Sequence, residues 1–256
     1  MPRTAFRPET NGFAFVNYWE LTEQENAELR ALLGAAIDGA LGLLGPVGLA
    51  ARVSGVRGKL NDLAAAAIPK SYGLCGGMAF AALDYFKTGA ALPRGAGPDD
   101  QPPPGSVLRN YLWRRLRESW VLNGVTFLEW VARLHLLPAS WPFDAGTKAL
   151  LRRSRAQWLA LKRRVDDREP VPLGLVGESK DPFMDHQLVA YGYEETGEQT
   201  KTIYVYDVNC PGAERTIEVD FSDPNLLRST ESCPRPGNAL RGFFCESYDV
   251  VVPPAQ

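Results

Sequence analysis

The spacing of apolar residues divides the chain into a helical first part and a strand-like last part. Thr22 and Glu25 form a capping-box pattern, and Leu29, Leu32, Leu33 and Ile37 follow at three- and four-residue spacing, so a helix is expected to begin near residue 22. Leu60 to Ile68 and Ala79 to Lys87 are further helical runs. Leu108, Leu112, Leu116 and Trp120, then Leu128, Val131 and Leu134, predict two amphipathic helices over 107–119 and 125–136. A third is predicted over 147–165, with Leu150, Leu151, Trp158, Leu161 and Val165 on one side. From residue 170 the period falls to two. Val171 to Val176, His186 to Tyr193, Lys201 to Val208, Glu214 to Val219 and Gly242 to Val252 read as strands, and Gly197 lies in a turn that makes the second and third an antiparallel hairpin. Helices followed by strands imply an α+β fold rather than a doubly wound parallel sheet. Near the start, Gly12 to Trp19 alternates aromatic residues and reads as an early strand or an ordered arm.

With 256 residues the chain is long enough to bury a sizeable core, and a single domain over 1–256 is the simplest organisation. Within it, 1–65 reads as an N-terminal helical region. The segment 89–168 reads as an insertion, a loop rich in Pro and Gly (89–105, with Pro102-Pro103-Pro104) followed by helices. One stretch, 31–51, is almost entirely apolar and has nearly membrane-spanning length. Asp38, Pro46 and its glycines argue against a span, so a buried or interfacial helical hairpin is preferred to membrane contact.

Composition narrows the partners. Hydrophobic content of 45%, charged content of 23% and a net charge of −2 give no electrostatic pull toward nucleic acid. The basic residues between Arg152 and Arg164 are offset by Asp166, Asp167 and Glu169, so they read as a solvated helix face. The four cysteines, at 75, 210, 233 and 245, show no CxxC spacing and are too sparse for a disulfide-stapled scaffold, which points to a reducing compartment. The N-terminus lacks the apolar stretch of a signal peptide, so a cytoplasmic location is expected, with delivery elsewhere by another route left open. Oligomeric state leaves no mark on the sequence.

Cys75 is the strongest chemical feature. It stands in Gly73-Leu74-Cys75-Gly76-Gly77-Met78, immediately before a helical run. Unpaired N–H groups and the positive end of the dipole at a helix N-terminus favour a thiolate, and the glycines are expected to let a substrate carbonyl approach. The chain has 2 histidines. His135 lies near the end of an amphipathic helix, where a structural role is the default. His186 begins a strand, and a strand-end imidazole at the sheet rim is placed to meet a helix-borne thiol. A catalytic imidazole needs a third group to hold it. If the strands at 186 and 201 pair antiparallel, Asp207 and Asn209 return beside His186, on one face by the period of two.

These elements resemble the papain-like cysteine peptidase superfamily, in which a cysteine at the start of a central helix faces a histidine and an aspartate or asparagine on an antiparallel sheet. The resemblance covers roughly 70–220. Gly73-Leu74-Cys75-Gly76-Gly77-Met78-Ala79-Phe80 is similar to the nucleophile segment and His186-Gln187-Leu188-Val189-Ala190-Tyr191-Gly192 to the histidine strand. Tyr206-Asp207-Val208-Asn209 looks nearest the aspartate form of the double-glycine leader peptidases, which favours Asp207 over Asn209. The resemblance implies a peptide or protein substrate, no cofactor, and a thioester intermediate formed by Cys75 with His186 as acid and base and Asp207 orienting it.

The family's pattern is broken at one point. It usually carries a glutamine about six positions before the cysteine to donate to the oxyanion, and that position is Pro69. The backbone N–H of Cys75 is one donor, and Lys70, Ser71 or Tyr72 are the candidates for a second. A transglutaminase-like acyltransferase and a catalytically silent papain-like binding domain remain alternatives. A zinc site made by Cys75, His186 and Asp207 lacks the support of paired-cysteine spacing.

Overall fold

The structure, a computed structural model, describes residues 1–43, 71–137 and 144–255. The expected helix at Leu60 to Ile68, the candidate donor Lys70 and the later half of the apolar 31–51 stretch lie outside the described residues.

In chain order the elements are α1 (Pro8–Asn11), β1 (Trp19–Glu20), α2 (Glu23–Leu43), β2 (Ser71–Tyr72), α3 (Cys75–Thr88), α4 (Val107–His135) and α5 (Thr147–Asp166). The strands β3 (Val171–Gly177), β4 (His186–Glu194), β5 (Thr200–Tyr206), β6 (Arg215–Asp220), β7 (Arg228–Glu231) and β8 (Leu240–Cys245) follow. The last six form one antiparallel sheet in the order β7-β6-β5-β4-β3-β8, while β1 and β2 pair separately. This is an α+β arrangement.

The sheet is covered on both faces, and alternation along the strands shows how. Val189, Tyr191, Tyr204 and Tyr206 pack into a core shared with α2, α3 and α4. Leu188, Ala190, Ile203 and Val205 point the other way, onto Leu151, Trp158, Leu161 and Val165 of α5. An irregularity between Ala190 and Gly192 resets the alternation, so Tyr193 joins the α5 side although Tyr191 faces α3. Among the described residues no helix is long and apolar enough to cross a membrane.

The loop and helices of 89–168 build the body of the protein rather than an appendage. Leu108, Leu112 and Leu116 of α4 share a core with Met78 and Leu83 of α3. Glycine makes that packing possible: a Cβ on Gly77 would stand 2.2 Å from the Leu112 carbonyl oxygen.

Several expectations are corrected. The two helices over 107–119 and 125–136 are one, α4. Asn123 and Gly124 look like a break in the sequence, yet both are buried. Asn123 donates to the carbonyls of Ser119 and Ser247 and accepts from the Ser247 N–H, while Gly124 packs on Trp120 and Ala36. The final strand ends at Cys245 instead of Val252, because the chain there leaves the sheet for the helices. Val251 N–H donates to Asp84 on α3, and the Asp249 carbonyl accepts from Arg115 on α4. The edge strand β7 was not anticipated; its polar sequence, Arg-Ser-Thr-Glu, carries no apolar alternation.

The cysteines are also corrected. Cys210 and Cys233 form a disulfide, and Cys75 and Cys245 are free. Disulfides persist in oxidising surroundings, so the argument for a reducing compartment loses its premise.

Candidate active site

The first residue of α3 is Cys75, and the helix is entered through Leu74 with no side chain capping its N-terminal N–H groups. α3 lies against β4, whose first residue is His186. β5 pairs with β4 so that Tyr206 stands opposite Val189, and the turn beginning at Asp207 is thereby carried to the end of β4 where His186 sits.

His186 Nε2 lies 2.8 Å from Asp207 Oδ1. The imidazole also shares a hydrogen bond with the Cys75 thiol. The three side chains therefore form one continuous chain of contacts. All are buried, and Cys75 and His186 line one wall of an open cavity of about 300 Å³.

Electrostatics favour a charged imidazole. Burial works against the imidazolium, but the charge of Asp207, its hydrogen bond and the contact with Cys75 outweigh it and push His186 up to about 10. Burial likewise opposes ionised Asp207. The charge and hydrogen bond of His186 and the Asn209 N–H overcome that penalty and hold the carboxyl below its usual range. An ionised Asp207 only accepts, so Nε2 carries the proton between them and Nδ1 is the nitrogen left to face the thiol.

The turn after β5 separates Asn209 from the role its spacing offered. The expected strand stops at Tyr206, Cys210 N–H donates to the Asp207 carbonyl, and the alternation does not reach Asn209. Asn209 instead donates its backbone N–H to Asp207 Oδ1, fixing that carboxylate, and its side-chain Oδ1 accepts from Asn17.

Asn17 is the residue that sequence reasoning missed. The arm after α1 is anchored by buried Phe13 and Phe15, and the Phe13 N–H donates to the Tyr206 hydroxyl. That anchoring carries Asn17 into the cavity beside Gly73 and Cys75. Trp19 Nε1 donates to Asn17 Oδ1 at 3.3 Å, which orients the amide, and Nδ2 spends one N–H on Asn209 Oδ1 at 2.9 Å. The second N–H of Nδ2 is in neither bond. A Cβ on Gly73 would stand 2.5 Å from Asn17 Nδ2, so the close seating of this amide needs glycine there.

Gly76 and Gly77, expected to admit substrate, are buried against protein. A Cβ on Gly76 would meet Gln187 Oε1 at 1.9 Å and Ser119 Oγ at 2.4 Å. Their small size serves the docking of α3 on β4 and α4, and Gly73 is the glycine that lines the cavity. Ser71 and Tyr72 form β2, opposite Glu20 and Trp19 of β1. His135 lies at the end of α4, where burial lowers its pKa.

The opposite wall is made by Phe183, Met184 and Asp185 before β4 and by Pro234-Arg235-Pro236 after β7. The Cys210–Cys233 disulfide joins the residue after Asn209 to the residue before Pro234, tying that wall to the turn that carries Asp207. Burial pushes the Asp185 carboxyl up to about 8, against the Gly177 N–H and the charge of Arg235. Among the described residues no cluster of three or more His, Cys, Asp or Glu is arranged to hold a metal ion.

Comparison with family models, curated proteins and solved structures returns no match to this chain.

Proposed function

We propose that this chain is a papain-like thiol hydrolase acting on a peptide or amide bond. The observation that carries the reading is His186, bonded to Asp207 on one side and to Cys75 on the other, at the wall of a cavity open to solvent. Support for the papain-like fold comes from a helix that begins at the cysteine and packs on an antiparallel sheet bearing the histidine and the aspartate.

Cys75 Sγ, having passed its proton to His186, attacks the carbonyl carbon and forms a C–S bond. The negative charge moves to the carbonyl oxygen, where the Cys75 backbone N–H and the Asn17 amide are the available donors. The C–N bond then breaks, His186 gives its proton to the departing amine, and a thioester remains on Cys75. Water attacks the thioester as His186 accepts its proton, releasing the carboxylic acid and restoring the thiol. Asp207 stays ionised and holds the imidazole throughout. No step requires a cofactor.

Asn17 takes the place left open by Pro69. A side-chain amide is the chemistry the missing glutamine would bring, arriving here from the N-terminal arm instead of the turn before the helix.

The test is competitive alkylation followed by product analysis. Cys75 should react with iodoacetamide well ahead of Cys245, whose thiol burial pushes up to about 11, and Cys75→Ala should remove every hydrolytic activity found. A Cys75 no faster than free cysteine, together with an active Cys75→Ala, sinks the reading. Adding a primary amine to the assay separates hydrolysis from acyl transfer, since only transfer yields the amide of the added amine.

A further inference from the structure

The residues that follow the two reacting groups touch each other. Gly76 comes after Cys75 on α3, Gln187 comes after His186 on β4, and a Cβ on Gly76 would stand 1.9 Å from Gln187 Oε1. Gln187 is buried, and its Nε2 donates to Glu246 Oε1 at 2.6 Å. Ser119 Oγ lies 3.4 Å from Gln187 Oε1 and gives its shorter bond, 2.8 Å, to the Leu116 carbonyl. Glu246 is buried too and is tied to the sheet. Its backbone N–H donates to the Pro172 carbonyl on β3 at 2.8 Å, and its own carbonyl accepts from Arg164 on α5. A continuous chain of contacts thus runs from β3 through Glu246 and Gln187 to the first turn of α3.

Energetics make this chain of contacts informative. A buried amide and a buried carboxyl are costly to desolvate, and Glu246 Oε2 has no partner. An apolar side chain at 187 would fill the space between β4 and α3 at smaller cost, as Val189 does two residues further along the strand. What an apolar side chain lacks is a fixed direction. The bond to Glu246 holds the amide in one orientation, with Oε1 against Gly76, and so sets how near the start of α3 comes to the start of β4. The charge of Glu246 takes no part. Burial pushes its carboxyl up to about 8, so at neutral pH it is largely protonated and does not compete with Asp207 for His186.

We propose that Gln187, held by Glu246, is a positioning residue that sets the contact between the Cys75 thiol and the His186 ring. This deepens the thiol hydrolase reading and rests on it. Neither side chain lines the cavity, so both act through the spacing of their neighbours.

The experiment uses the full chain and follows by mass spectrometry the rate at which iodoacetamide alkylates Cys75 at pH 7, Sγ forming a C–S bond as iodide leaves. Urea curves establish that each variant is folded under the labelling conditions. Gln187→Met and Glu246→Leu break the bond from its two ends, and each should slow Cys75 about tenfold or more, since misplacing a reacting group by about 1 Å can cost 10²-fold. Glu246→Gln keeps an acceptor oxygen for Gln187 and should stay within about twofold of the natural rate. A role in stability alone would lower the urea midpoints of the two breaking variants and leave their alkylation rates at the natural value. That result, or equal slowing in all three variants, overturns the positioning role and leaves the nucleophile standing. A Cys75 no faster than free cysteine in the natural chain overturns both. Should neither breaking variant fold, NMR of the natural chain decides. The Gln187 side-chain N–H protons should exchange with water at least about 100-fold more slowly than those of an exposed glutamine and should shift in Cys75→Ala, and fast exchange or no shift overturns the proposal.

Discussion

His186 Nε2 stands 2.8 Å from Asp207 Oδ1, and the two side chains are 4% and 3% exposed. In that setting the pair is more than an orienting hydrogen bond, because the buried aspartate charge has no solvent to screen it and acts mainly on the imidazole. The ring should therefore remain protonated well above the ordinary histidine range, with a midpoint near 10. His135 is an internal reference, since its burial moves it the other way, below 6.5. In Asp207→Asn the His186 midpoint should return toward neutrality while His135 stays where it was. Hydrolytic kcat should fall on the order of 10²- to 10⁴-fold, as when a triad loses the group that fixes its tautomer. Ring-proton NMR between pH 5 and 11 reads both midpoints; a His186 that titrates near 6.5 in the natural chain contradicts the electrostatic account.

Asn17→Ala separates oxyanion stabilisation from nucleophile activation. Removing one preorganised donor costs about 10²- to 10³-fold in kcat, with little change in KM because the charge exists only after attack. Alkylation of Cys75 by iodoacetamide builds no oxyanion and should keep its rate. An equal loss of both reactions would mean that Asn17 acts only by bracing Asn209 and the Asp207 turn.

The contrast between Cys75 and Asn17 shows what the sequence could carry. Cys75, His186 and Asp207 each lie at the boundary of a regular element, and the period around them locates that boundary. The hairpin turn near Gly197 then brings two of them together by register alone. Asn17 and Arg235 sit in irregular segments, reaching the cavity through long-range ties. Phe13 is bonded to Tyr206, and Cys233 is bonded to Cys210. No local pattern encodes such a tie. The same limit explains α4, where burial of Asn123 and Gly124 against the C-terminal tail and α2 overrides the weak local helix preference that marked a break.

Gly77→Ala weighs helix propensity against packing. Alanine gains roughly 0.5–1 kcal/mol over glycine inside a helix. Here the new methyl would stand 2.2 Å from the Leu112 carbonyl and 3.0 Å from the Leu116 nitrogen, which belong to the α4 backbone and cannot swing aside. Overpacking of this kind costs about 1–3 kcal/mol, so packing should win. The expected result is a lower urea midpoint, and a more stable variant would mean that α3 and α4 are not this close.

The Cys210–Cys233 bond closes a segment with a sequence separation of 23, which the chain-entropy model values at about 3 kcal/mol. It also anchors the Pro234-Arg235-Pro236 wall beside Asn209. Cys210→Ala with Cys233→Ala should lower unfolding free energy by about that amount. Hydrogen exchange should speed most in 207–212 and 228–237, with α3 little affected. Uniform faster exchange throughout would instead assign the bond a global role.

Glu246 makes stability depend on pH in the alkaline direction. Burial pushes its carboxyl up to about 8, well above its ordinary 4.5, while the Gln187 amide at 2.6 Å and the charge of His186 oppose that shift. The folded chain thus holds a proton that the unfolded chain releases. A group whose pKa rises on folding stabilises fully below its unfolded value and loses that stability as pH climbs through its folded value. The contribution of Glu246 should therefore decline between about pH 4.5 and 8, at no more than about 1.4 kcal/mol per pH unit. Glu246→Gln removes the titration and keeps a group of the same shape beside Gln187. Urea unfolding of both proteins from pH 5 to 9 should show the variant gaining on the natural chain as pH rises, and parallel curves would mean that Glu246 is ionised in the fold.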